Sequence, residues 1–168
     1  MNDSSNPLQS VLAVDRAMRE RCERLRRLAR DLFAGEFDAA VGNRAAALRL
    51  EIESRMYAHH DDEETTLFPA LLETMAGSDP VCLRELTELL RAEHRALERS
   101  WEAVRRVLEQ VEAGQPAPID VESFRTFIEG YLAHLEREEQ ELFPMVARLL
   151  TDAEIANLRH KLLSGGPV

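Results

Sequence analysis

Two segments of this chain repeat one motif at a separation of 75 residues. Residues 59–69 read His-His-Asp-Asp-Glu-Glu-Thr-Thr-Leu-Phe-Pro, and residues 134–144 read His-Leu-Glu-Arg-Glu-Glu-Gln-Glu-Leu-Phe-Pro. His59 matches His134, Glu63 matches Glu138, Glu64 matches Glu139, and Leu-Phe-Pro closes both copies. A histidine four residues before a glutamate stacks an imidazole and a carboxylate on one helix face. Two such faces turned toward each other leave little choice of fold. They require paired helices around a polar centre, with nitrogen and oxygen ligands for a metal.

The remaining sequence agrees with helices. Apolar residues recur at helical spacing from Leu8 through Val11, Met18, Cys22, Leu25, Leu28 and Leu32, and Gly35 closes that segment. A second helix starts between Asp38 and Asn43 and runs through Glu63; Pro69 is expected to kink or break it. A third runs from Pro80 to about Ala113, preceded by the cap sequence Gly77-Ser78-Asp79. A fourth, capped by Asp120, runs to about Leu150 with a disturbance at Pro144, and Thr151 with Glu154 forms a capping box for a short terminal helix over 152–163. Nothing alternates like a strand. The prediction is one all-α domain over 1–168, an up-down-up-down four-helix bundle over about 8–150.

Composition narrows the function. A net charge of −10 argues against a nucleic-acid surface, and the arginines of the first helix are interleaved with acids, as on a solvated face. No apolar run approaches the ~20 residues that span a membrane. Two cysteines, Cys22 and Cys82, make no disulfide framework, and the polar N-terminus lacks a signal-peptide pattern, so a cytoplasmic protein is expected.

Helix lengths place the candidates at comparable depth. His94 and His134 each lie 14 residues past their helix starts at Pro80 and Asp120, or about 21 Å at about 1.5 Å per residue. Aligning Arg21-Cys22-Glu23 with Glu93-His94-Arg95 makes the odd helices copies too, with Cys22 equivalent to His94. The expected inward set is Cys22, His59, Glu63, His94, His134 and Glu138. Mixed nitrogen and oxygen donors suit iron or manganese, and zinc is admissible.

The order His, His-x-x-x-Glu, His, His-x-x-x-Glu over four helices resembles the hemerythrin-like, HHE cation-binding domain family, over residues 10–150. The resemblance implies a non-heme di-iron centre, often with a bridging oxygen atom. Glu63 and Glu138 would bridge the irons. His94 and His134 would serve one iron, and His59 with a residue of the first helix would serve the other. Here the chain departs from the family: Cys22 stands where a first-helix histidine belongs, either as a thiolate ligand or as a small core residue. Respiratory members also carry a second histidine one turn along the third helix; one turn from His94 this chain has Leu90 and Glu98, the latter expected as an exposed glutamate, with reach to the metal as the alternative.

Other residues are assigned by the repeat. His60 has Leu135 as its counterpart and is expected outside the site. Glu64 and Glu139 are left open between hydrogen-bonding the ligands and solvation. Tyr131 is expected in the core, with lining of the site as the alternative, and His160 on the surface. The resemblance implies a protein that binds or senses a diatomic molecule, peroxide or iron. Iron–sulfur cluster repair and a regulatory bundle with a degraded site are the alternatives, and a homodimer is left open.

Overall fold

A computed structural model describes residues 7–74, 80–115 and 119–157. Its helices are α1 (Pro7–Phe33), α2 (Ala39–Asp62), α3 (Phe68–Glu73), α4 (Pro80–Glu112), α5 (Val121–Arg137) and α6 (Phe143–Leu149), and residues 152–157 are also helical. No strand occurs among the described residues. Helix α1 packs on α2 and α5, and α4 packs on the same two helices from the other side. This ring of neighbours is the four-helix bundle that the periodicity predicts. No helix among the described residues is long and apolar enough to cross a membrane.

The helix ends follow their sequence signals. Val41 and Glu122 donate backbone N–H groups to the capping carboxylates of Asp38 and Asp120, at 2.8 and 3.1 Å. Gly35 takes φ 86° after α1, the left-handed turn that a side chain disfavours. Thr151 and Glu154 form the reciprocal capping box: the Thr151 N–H donates to the Glu154 carboxylate at 2.8 Å and the Glu154 N–H to the Thr151 hydroxyl at 3.3 Å. The Gly77–Asp79 cap, the C-terminal part of the last helix and His160 lie outside the described residues. The arginines of α1 face acids, Arg19 on Glu139, Arg24 on Glu51 and Arg26 on Glu23, as a solvated face requires.

Both prolines disturb their helices, as expected, and Pro69 does so without ending its helix. A single π turn, Glu63–Leu67, joins α2 to α3, and Glu138–Leu142 joins α5 to α6 in the same way. Phe68 and Phe143 donate their N–H groups five residues back, to Glu63 and Glu138. Widening the turn relieves the clash between a proline ring and the carbonyl one turn earlier. Pro69 has no N–H for the Glu64 carbonyl, which instead accepts from the Arg91 guanidinium at 3.3 Å.

The core is divided. One apolar cluster runs from Met18 and Met56 through Leu97 and Trp101 to Phe127 and Tyr131; the other gathers Leu67, Phe68, Leu90, Leu142 and Phe143 with their neighbours. Each fully buried large side chain contributes about 1.5–3 kcal/mol. Between the clusters, α2, α4 and α5 each exchange apolar inward residues for polar ones. Along α2 and the segment after it the order is Met56, then His59, His60 and Glu63, then Leu67; on α4 it is Leu90, His94, Leu97; along α5 and the segment after it, Tyr131, His134, Leu135, Glu138, Leu142.

Candidate metal centre

The polar layer holds Asp15, His59, His60, Glu63, His94, His134 and Glu138, all buried. Ligand atoms of His59, Glu63, His134 and Glu138 lie within 4.8 Å of one another, and so do those of His60, His94 and His134. The structure therefore brings together five of the six residues expected from sequence, and adds His60.

Three imidazoles are oriented by glutamates. The Nδ1–H of His60 donates to Glu98 at 3.0 Å, that of His94 to Glu64 at 2.8 Å, and that of His134 to Glu93 at 2.9 Å. Each bond fixes the tautomer and leaves the Nε2 lone pair for the interior. All three Nε2 atoms are buried without a hydrogen-bond partner, as is Nε2 of His59. Both carboxylate oxygens of Glu63 and of Glu138 are in the same condition. The groups nevertheless lie close: His94 Nε2 is 3.2 Å from Glu63, and His134 Nε2 and His59 Nε2 are 2.9 and 3.6 Å from Glu138. Nitrogen and oxygen atoms that converge without hydrogen-bonding geometry are the arrangement a cation completes. The donor set fits a metal.

Electrostatics divide the layer. Burial opposes charge on His59, but Glu63 and Glu138 outweigh it and hold the imidazole at about 10. Burial opposes charge on His134 as well, and the Glu138 carboxylate close beside it raises it to about 9. Burial lowers His94 to about 4 despite its bond to Glu64, and pushes His60 far down, helped by the neighbouring His94. Burial pushes the Glu63 carboxyl well up, with Glu138 adding to it; Glu138, equally buried, is held well down by His59 and His134. His60 and His94 are thus neutral, ready ligands, whereas His59 and His134 carry protons that a bound cation would displace.

Cys22 lies elsewhere. It is fully buried within the larger apolar cluster and belongs to neither group of converging ligand atoms. Burial pushes its thiol up to about 12. It takes the core role of the two that the sequence left open. The folded protein is expected to resist alkylation at Cys22 and to accept label only at the exposed Cys82, with Cys22 labelled after unfolding. Peptide mapping of the alkylated protein checks this, and rapid labelling of Cys22 in the folded state would contradict the assignment.

His60 lies among the converging ligand atoms. Its ring stacks on His94 with centroids 4.0 Å apart and planes 8° from parallel. Glu98, read as a solvent-exposed residue, is its partner. Of the repeated glutamates, Glu64 orients His94 while Glu139 pairs with Arg19 at the surface. Tyr131 is a core residue that also borders the site: its ring lies 6.0 Å from His134, and its buried hydroxyl has no hydrogen-bond partner. Asp15, which the sequence reading passed over, is fully buried on α1 with neither carboxylate oxygen hydrogen-bonded. Its signal was a lone acid on the apolar stripe of α1, seven residues before Cys22.

Comparison with known proteins agrees with this geometry. A protein of Haemophilus influenzae described as uncharacterized is 28% identical over 141 residues, covering 84% of this chain and 78% of its own length. The family model for the hemerythrin HHE cation-binding domain matches residues 6–146, which include every residue of the polar layer. With the bundle, the doubled motif and the converging histidines and glutamates in place, the chain belongs to the hemerythrin HHE cation-binding domain family.

Proposed function

We propose that this chain is a non-heme di-iron protein that binds or senses a small oxidant: dioxygen, peroxide or nitric oxide. The observation that carries the reading is the convergence of the Nε2 atoms of His59, His94 and His134 on the two buried carboxylates of Glu63 and Glu138, with His60 beside His94 and His134. Glu63 and Glu138 sit where each can face two positions. His60, His94 and His134 would hold one ion and His59 would hold the other. Iron bound there supplies redox electrons and an open position for a small ligand. Nitrogen and oxygen donors without a thiolate favour iron or manganese over softer ions. The apolar clusters on either side keep bulk water from the layer and favour small uncharged ligands.

Elemental analysis of protein purified without chelator, from cells with ample iron, tests the reading. About two ions per chain are expected, with an absorption spectrum typical of a bridged ferric pair. A folded chain free of metal under those conditions would overturn it.

The orienting glutamates give a graded prediction. Glu93→Gln is expected to weaken metal binding about 10–100-fold while leaving the ligands in place. Glu93 is the choice because it accepts from His134 and from Arg137, both at 2.9 Å, and so holds the imidazole against a fixed support. Metal-competition titration reads the change; an unaltered affinity would make the bond dispensable.

A further inference from the structure

We infer that Asp15 is the α1 ligand of this centre, so that its two metal positions are unequal by construction: three imidazoles on one side, one imidazole and one carboxylate on the other. The inference rests on the di-iron reading above and assigns a residue that neither the repeat nor the family pattern supplies. Four observations carry it. Asp15 is wholly buried, and both of its oxygens lack a hydrogen-bond partner. A carboxylate in that state is costly unless something cationic is its partner. The leading charges that act on it include Glu138, His59 and His134 of the layer itself. Helix α1 packs on α2 and α5, the helices that carry His59 and lead into Glu138.

Depth is the fourth observation. Met18 belongs to the larger apolar cluster, as do Cys22 and Leu25. Asp15 is therefore the residue at which α1 leaves apolar for polar, as α2 does at His59, α4 at His94 and α5 at His134. Cys22 is seven residues away, two turns along the same face, or about 10 Å too deep.

The consequence is chemical. The position served by His59 and Asp15 is richer in oxygen and carries more negative charge than the position served by His60, His94 and His134. Oxygen donors favour harder, more readily exchanged divalent ions. The His59 and Asp15 position is thus the one that loads last and empties first under mild chelation.

The test uses the full chain, expressed with iron, with metal content and melting midpoint as readouts. Wild type is expected to hold about two ions, Asp15→Ala and the isosteric Asp15→Asn about one, Asp15→His about two, and Cys22→Ala about two. The chelated Asp15→Asn protein is expected to melt no lower than chelated wild type, because it lacks an unpartnered buried charge. Two ions retained in both Asp15→Ala and Asp15→Asn would overturn the inference while leaving the di-iron reading intact. Loss of one ion in Cys22→Ala would overturn it in favour of the thiolate. A wild-type protein without metal would overturn the di-iron reading itself, and this inference with it.

Discussion

Glu138→Ala is expected to remove both ions from the chain and to destabilise the metal-free fold by about 3–5 kcal/mol. Glu138 is fully buried between His134 at 2.9 Å and His59 at 3.6 Å, so on the di-iron reading its carboxylate would serve both metal positions, and it faces both imidazoles in the metal-free fold. Removing it leaves two buried cations short of a counter-charge. Glu63→Ala provides the contrast. Its carboxyl is already driven toward the neutral form by burial and by Glu138, so the metal-free fold should lose less although metal binding is also lost. The pH dependence has a definite sign. His59 and His134 have folded values of about 10 and about 9, above the ordinary 6.5. Their contribution is fully present below about 6.5 and lost as pH rises through 9 and 10. The stability gap between metal-free wild type and Glu138→Ala should therefore narrow over that window. Urea unfolding of chelated proteins at pH 6 and pH 10 measures it. Equal gaps at both values would separate the charge on these imidazoles from the stability of the fold.

Removal of metal from the wild-type protein is expected to lower its melting midpoint by on the order of 10 °C. A ligand held only by the folded state, at a thousandfold excess over its dissociation constant, contributes about 4 kcal/mol. For a chain of this size, each kcal/mol moves the midpoint by about 2–4 °C. The structure adds a reason for a large effect. Without an ion, the oxygens of Asp15, Glu63 and Glu138 and the Nε2 atoms of four histidines share one buried layer without hydrogen bonds. That layer cuts the core in two, so loosening it uncouples the apolar clusters on either side. Scanning calorimetry before dialysis against chelator, after it, and after iron is restored follows the change. A midpoint indifferent to all three treatments would mean that no ion bridges these helices.

Periodicity shows which face of a helix is buried, and that much of the fold was legible. Helices α1, α2, α4 and α5, the cap at Asp120, and five of the converging residues are readable from spacing. Depth along a helix is harder, because residues seven apart share a face. Cys22 and Asp15 are such a pair, and the repeat alignment selects Cys22, which lies in the apolar cluster, over Asp15. His60 was obscured for a different reason. Neighbouring helical residues diverge by about 100°, so His59 and His60 look like alternatives; in a wide centre between three helices both point inward. The partner that identifies His60 is Glu98, and that link crosses from α2 to α4, which no local pattern contains.

The two π turns have a consequence for how length can vary in this family of bundles. Each inserts one residue between a buried glutamate and the aromatic that follows, shifting the phase of everything downstream by about 100°. Phe68, beyond the first turn, lies 6.1 Å from the His94 ring, and Phe143 occupies the matching place beyond the second. A chain one residue shorter between Glu63 and Phe68 could wind as a regular α-helix. It would keep every ligand and turn the aromatic floor of the site toward water. The interval from glutamate to proline is thus a rotational setting as firm as the identity of any ligand.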